Sequence, residues 1–230
     1  MKLRPPNSDE LHAIVPMNVL RVSKARLAPV LSSTARVQLS IAMLVDVLAA
    51  LRKVHRIHSV TVVSADLAAR RVARSLGASF LWEGKRRGLN KGVRLAIRES
   101  VRKGAAAVLI IHADIPLVTA REILRFLNRA EGYAVALIPS KDGTGTNALF
   151  LRPPEAIRPA FGKNSFRRHL ALAAQKSIPR RVVRSRGIGF DLDEPSDLNR
   201  LMHRSLNNET SHILRNIKHD VGSGRKGLYT

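Results

Sequence analysis

Apolar positions along the chain follow two periods. Residues 105–111 form a continuous apolar run that stops at His112, Ala113 and Asp114. Such a run predicts a strand buried on both faces, as in a parallel sheet. Asp114 falls just past its carboxyl end, and Pro116 stops further pairing. Shorter strands are predicted over 12–17, closed by Pro16, over the β-branched stretch 59–64, and over 79–82. Between them, Val37, Ile41, Leu44, Val45, Leu48 and Leu51 recur at helical spacing over 35–51, behind capping side chains at 32–34. Further helices are predicted over 67–76, stopped by Gly77, over 88–102, which starts from Gly88-Leu89-Asn90, and over 119–129.

In the second half, strands at 133–140 and 147–151 flank the turn Lys141–Gly145, and a helix is predicted over 165–175. Short strands follow at 180–185 and 188–192, with Asp191 and Asp193 at the end of the second. Glu194-Pro195 opens a short helix to about 203. The β-α alternation predicts an α/β fold, a doubly wound sheet with hairpin-like additions late in the chain. From 205 onward the chain is polar, and 222–227 reads as flexible. Within that tail, Ile213, Leu214 and Ile217 give one apolar helical turn that can pack on the body or on a partner. Neither a repeat nor a linker interrupts the rest, so one domain over 1–204 with a polar tail over 205–230 is expected.

Composition narrows the function. Lys and Arg number 40 against 17 Asp and Glu, a formal charge of +23, which points to anionic ligands. The basic residues are dispersed, however, and aromatics at 4% are too few for a base-stacking platform, so the signal for nucleic acid is weak. Absence of Cys excludes disulfides, thiolate zinc sites and a thiol nucleophile. No run reaches the length of a membrane span and Met1 to Glu10 is polar, so no membrane and a cytoplasmic setting are expected. Dinucleotide and Walker fingerprints, zinc-protease spacing and a serine-hydrolase elbow are all missing from the sequence.

Three carboxylates stand out. Asp114 lies at one predicted strand end, and Asp191 and Asp193 at another. Were those strands neighbours, the three would converge at one sheet edge and suit Mg²⁺ with phosphate ligands; singly, each also reads as a turn or capping residue. Two loops offer anion sites: Asp142-Gly143-Thr144-Gly145-Thr146-Asn147, which also reads as a tight hairpin turn, and Phe161-Gly162-Lys163-Asn164-Ser165 at a helix start. The basic loop after the first strand, with Arg21, Lys24 and Arg26, stands where Rossmann-like folds place nucleotide phosphates. His112 beside Asp114 reads either as a support to a metal ligand or as a packed strand-end residue.

In their order these motifs resemble the guanylyltransferases of coenzyme F-420 biosynthesis, within the broader MobA-like nucleotidyltransferases. The resemblance runs from about Ile14 to Leu201 and is carried by Val15-Pro16, by Ser23-Lys24-Ala25-Arg26-Leu27-Ala28-Pro29-Val30-Leu31 and by Ala42–Leu48. It continues through Gly88-Leu89-Asn90, Ala113–Leu117, Gly143–Leu149, Phe161–Phe166 with His169, and Asp191-Leu192-Asp193 before Pro195. It implies a Rossmann-like nucleotidyltransferase fold, with a mixed, mostly parallel sheet and helices on both faces. It also implies transfer of GMP from GTP to a small phosphorylated acid: 2-phospho-L-lactate, phosphoenolpyruvate or 3-phospho-D-glycerate.

Carried over by position, Thr146, Gly162 and Ser165 would hold the acid, and Asp114, Asp191 and Asp193 would hold Mg²⁺. Pro16, Lys24, Arg26, Gly88, Leu89 and Asn90 would hold the nucleotide, with Asp114, Lys24 and Arg26 acting in catalysis. The family places Lys two residues after the strand-end Pro; here Asn18 stands there, with Arg21 as a candidate substitute. Glu209 to Thr230 matches nothing in the resemblance, and the tail leaves room for a homodimer. The alternatives are a MobA-like enzyme using CTP or a sugar or molybdopterin phosphate, and a nonenzymatic nucleic-acid-binding protein.

Overall fold

Strand β1 (Leu11–Pro16) and strand β4 (Ala107–Ile111) are apolar at every position but His12 and are buried throughout. They lie side by side at the centre of a seven-stranded sheet, in the computed structural model that describes residues 10–20, 23–84, 88–204 and 207–224. The other strands are β2 (Ile57–Ser64), β3 (Ser79–Trp82), β5 (Val135–Pro139), β6 (Thr146–Leu151) and β7 (Arg180–Val182). Their order is β3-β2-β1-β4-β6-β5-β7, and β6 alone runs against its neighbours. The sheet is therefore mixed and mostly parallel. After β1 the chain winds outward to β2 and β3, then returns past β1 to form β4. That reversal opens a crevice at the carboxyl ends of β1 and β4, where open α/β sheets bind ligands.

Helices cover both faces. On one side lie α1 (Ser33–Arg52), α2 (Leu67–Ser75) and α4 (Ala120–Ala130), packed on Ala13, Val15, Leu109 and Ile111. On the other lie α3 (Leu89–Arg102) and α5 (Ser165–Gln175), packed on Ile14, Val108 and Ile110. Alternate residues of β1 and β4 thus serve two cores, as the strand period of two requires. The Ser32 hydroxyl caps α1 by accepting from Ala35 N–H at 3.1 Å.

A third, smaller core lies beyond the strand ends. Leu27, Leu39, Met43, Phe190, Leu192, Leu198 and Leu214 join there. It unites the loop after β1, the first half of α1, α6 (Pro195–Met202) and α7 (Glu209–Gly224). This cluster anchors the segments that carry Lys24 and Asp193.

Four expectations need correction. Residues 188–189 form a turn and 190–192 irregular chain, not a strand. The Glu122 carboxylate accepts Gly187 N–H at 2.8 Å, the Ser185 hydroxyl accepts Ile188 N–H at 3.1 Å, and Asn147 donates to Ile188 C=O at 3.0 Å. Side chains thus bond groups that a ladder would have used. A Cβ at residue 187 would lie 2.0 Å from a Glu122 oxygen, so only glycine admits that approach. Likewise β7 stops at Val182, short of 185.

Helix α1 does reach the length and hydropathy of a membrane span, yet 61% of that window is buried inside the fold and it serves as a core helix. The tail is more ordered than its polarity suggested, since α7 runs to Gly224 and packs on α1, while 225–227 of the expected flexible stretch lie outside the described residues. The Asp46 carboxylate of α1 caps α7, accepting the backbone N–H of Glu209 and of Thr210 and the Thr210 hydroxyl at 2.9, 3.0 and 2.6 Å.

Candidate active site

The crevice between β1 and β4 holds a buried ion cluster. Lys24 adopts a left-handed backbone (φ 55) just before the 3-10 turn Ala25–Leu27, a conformation that non-glycine residues rarely hold without compensation. Its ammonium is 4% exposed and donates to Asp114 Oδ2 and to Asp193 Oδ1, each at 2.8 Å. Those carboxylates come from the end of β4 and from the segment before α6, and Leu192 N–H donates to Asp114 C=O at 3.1 Å to join them. Burial disfavours the Lys24 charge, but Asp114 and Asp193 outweigh it and hold the ammonium above its ordinary range. Asp114 pays the same desolvation, and Lys24, with His112 behind it, still holds its carboxyl down at about 2.

Asp191 stands beside this pair. Burial first, then the charges of Asp114 and Asp193, push its carboxyl up. Its Oδ1 accepts from the Asn147 amide at 3.4 Å. Lys141 donates to Asp191 C=O at 3.0 Å and pairs with the buried Asp197 carboxylate. Asp197 in turn accepts Asp193 N–H at 3.1 Å and Glu194 N–H at 2.9 Å. The three predicted carboxylates therefore reach one sheet edge, although Asp191 and Asp193 arrive on a loop.

As it stands, among the described residues no group of three His, Asp or Glu side chains is spaced to hold an ion, and Lys24 lies between two of the three. Asp114 Oδ1 is nonetheless buried with no hydrogen-bond partner, and Asp191 is crowded by like charge. An orphaned carboxylate oxygen beside two further hard oxygen donors fits a divalent cation.

The residues expected to hold the nucleotide are placed in different settings. Pro16, Asn18, Lys24 and Leu89 line a cleft with His112 and Asp114. Gly88 caps α3 at φ 82, which a side chain would strain. Asn90 spends its amide elsewhere, accepting Phe161 N–H at 2.7 Å and donating to Phe161 C=O at 2.9 Å. It therefore clamps the opposite loop. Arg26 lies at the rim, 72% exposed, 3.6 Å from Glu194. Asn18 is exposed at the end of β1, and Arg21 lies outside the described residues.

The residues expected to hold the acid gather around a neutral, bonded set. The Thr146 hydroxyl lies 3.0 Å from His169 Nδ1, and His169 Nε2 accepts Ala160 N–H at 2.9 Å. An acceptor at Nε2 places the imidazole proton on Nδ1, so His169 donates to Thr146. The Thr146 hydroxyl proton is then free to donate elsewhere. Burial, helped by the charges of Arg168 and His112, lowers the His169 pKa to about 4 and keeps the ring neutral. Phe161 packs edge-on against His169 at 5.0 Å and tilted against His112 at 5.1 Å. Ser165 is buried at the start of α5, and among the described residues the N–H groups of Gly162, Lys163 and Asn164 donate to no protein group.

The glycine-threonine loop behaves differently from an open anion cradle. Asp142 already occupies it, accepting Thr144 N–H at 3.0 Å, the Thr144 hydroxyl at 2.7 Å and the Ser140 hydroxyl, while Gly145 N–H donates to the Ser140 oxygen at 2.7 Å. These bonds hold the Asp142 carboxyl at about 2. The last two residues of the loop do reach the crevice, Thr146 through His169 and Asn147 through Asp191. The clamps by Asn90, His169 and Lys141 escaped sequence reading because each joins positions apart in the chain, whereas Asp197 forms a local capping box with Glu194 whose spacing was there to be read.

This α/β sheet, with acidic side chains and a lysine gathered at the carboxyl end of its central strands, has the nucleotide-diphospho-sugar transferase fold. A crystal structure assigned to a nucleotide-diphospho-sugar transferase of Desulfovibrio desulfuricans G20 superposes with a TM-score of 0.75 at 19% identity, covering 94% of this chain and 98% of that one. Within that fold, residues 11–227 match the family described as "Guanylyl transferase CofC like", and the chain belongs to it. The matched span takes in the whole of α7, so the tail as far as residue 227 has a family counterpart after all. A phosphoenolpyruvate guanylyltransferase of Sphaerobacter thermophilus is 41% identical over 190 residues, 82% of this chain and 91% of that one. A 2-phospho-L-lactate guanylyltransferase of Methanobrevibacter smithii is 32% identical over 215 residues, 94% of each chain.

Proposed function

We propose that this protein transfers GMP from GTP to the phosphate of phosphoenolpyruvate, 2-phospho-L-lactate or 3-phospho-D-glycerate, releasing pyrophosphate, in coenzyme F-420 biosynthesis. The observation that carries the reading is Lys24 between Asp114 and Asp193 in the β1/β4 crevice. A phosphate oxygen of the acid attacks the α-phosphorus, a bond forms there, and the bond to the β-phosphate's bridging oxygen breaks. The nucleophile is already ionised near neutral pH, so no general base is needed. Positioning and charge neutralisation then do the chemistry.

Each residue takes a role. Asp114, Asp191 and Asp193 would hold a divalent cation, Mg²⁺ in this reading. When bound, that ion supplies neutralisation of the phosphate oxygens. Lys24 exchanges its carboxylate partners for triphosphate oxygens, and Arg26, tied only weakly at the rim, adds a second cation. Pro16, Gly88 and Leu89 flank the nucleotide, while Asn90 acts by fixing the Phe161 loop. Thr146 donates its free hydroxyl proton to the acid, and Ser165 with the unpartnered amides from Gly162 onward binds its anionic groups. The same reading treats 1–204 as one catalytic domain in the cytoplasm, extended by 205–230.

The test is pyrophosphate release with Mg²⁺ and each of the three acids, from GTP and, separately, CTP. Release from GTP with at least one acid is expected. No release with any acid refutes the reading, and a preference for CTP would move the enzyme to another branch of its fold.

A further inference from the structure

A second basic pocket lies away from the crevice. Helix α3, the 153–159 loop and the carboxyl end of α5 enclose a cavity of about 260 Å³, near the lower size of small-molecule sites. Its apolar wall includes Ile97 and Ile157, both buried. Around that wall stand Arg94, Arg98 and Arg158. Lys176 lines it too, its ammonium held 3.0 Å from Ala156 C=O. Glu155 is the only acidic lining residue, and among the described residues no ion pair joins it to these cations.

That grouping is mildly unfavourable without a ligand, although Arg98 and Arg158 remain open to solvent. Arg94 and Arg98 are four residues apart on one helix, where like charges destabilise. One turn further along α3 the chain does neutralise its cations, since Glu99 pairs with Arg102 at 2.6 Å and with Lys103 at 3.5 Å. The pocket's guanidiniums are left uncompensated over an apolar wall.

We infer that this pocket is a second anion site, taking the phosphate monoester of a small apolar organic group. Guanidinium forks from two helical positions and a loop match the several oxygens of a phosphate, and the apolar wall covers the carbon skeleton. The pocket shares no lining residue with the β1/β4 cleft, so it can be filled independently of it.

Calorimetric titration of the full-length protein with phenyl phosphate tests this, with inorganic phosphate as the comparison. Phenyl phosphate should bind more tightly than inorganic phosphate. The Arg94→Ala/Arg98→Ala variant should weaken phenyl phosphate by about tenfold or more, as loss of a charge-assisted bond does. Arg158→Ala provides the same reading from the loop if the helix variant folds poorly. Arg70→Ala/Arg71→Ala removes two exposed charges from α2 and should leave binding unchanged. The inference fails if the wild type binds phenyl phosphate no better than inorganic phosphate. It fails equally if the pocket variants bind like wild type, or if the α2 control weakens binding as much. A parallel rise in the KM for GTP in the pocket variants would assign these arginines to the catalytic cleft and overturn it as well.

Discussion

The two sides of the crevice are built on opposite principles. At the β1/β4 end, Lys24, Asp114 and Asp193 are held by charge, with the Lys24 ammonium bridging both carboxylates and Asp114 Oδ1 left without a hydrogen-bond partner. Opposite, Thr146, His169 and Phe161 are neutral, buried and joined by hydrogen bonds that leave one hydroxyl proton to spare. A charged cluster must rearrange to accept a polyanion, because its lysine then gains phosphate partners. A neutral bonded set needs no such rearrangement and can present a donor in advance. Under the proposed function, binding energy goes into reorganisation where the triphosphate would bind and into fit where the acid would bind.

Changes at Asp114 should separate the sides most. Asp114→Asn keeps the shape but removes the charge, and turnover should fall by about a thousandfold with the folded state retained. Initial rates and circular dichroism check it, and unchanged turnover would make Asp114 a turn residue. Lys24→Met should cost about 3 kcal/mol of stability at neutral pH, because two carboxylates lose their cation. Millimolar Mg²⁺ should restore part of it, read by denaturant unfolding. Recovery with Na⁺ at matched ionic strength would show simple screening instead.

On the neutral side effects should be smaller and confined to the acid. Thr146→Val preserves volume while losing the donor, and should raise the acid's KM by about tenfold with little change for GTP. An equal rise for both substrates would contradict the division. His169 offers a pH signature. Its folded pKa of about 4 lies below the ordinary 6.5, so the unfolded chain binds the proton more readily between those values. Stability from this group is complete above pH 6.5 and should decline by about 3 kcal/mol as pH falls to 4. His169→Gln should flatten that decline in thermal melts, and an unchanged slope would remove His169 as its source. Smallest of all, Asp46→Ala should cost about 1 kcal/mol through the cap of α7, without altering turnover.

Much of the frame was legible because it rests on local rules. The apolar run into Asp114, the helical period of 35–51 with its Ser32 cap and the glycine before α3 each depend on neighbours in the chain. Residues 188–192 misled because an apolar stretch looks the same whether a ladder or side chains satisfy its backbone. Asp142 illustrates the same limit: glycines and threonines advertise an anion loop, and here the anion is the chain's own. Lys24 was visible as a cation, but not its two partners, which lie 90 and 169 residues away. The polar tail concealed a docked helix because Asp46, its cap, sits 163 residues upstream of Glu209.

One structure would test the two-sided site most directly: a crystal of the protein with Mg²⁺ and a non-hydrolysable GTP analogue. The Lys24 ammonium should have left Asp114 and Asp193 for phosphate oxygens, with the ion on those carboxylates, while the Thr146–His169–Ala160 chain of hydrogen bonds stays in place. A nucleotide bound with Lys24 still bridging Asp114 and Asp193 would contradict the account.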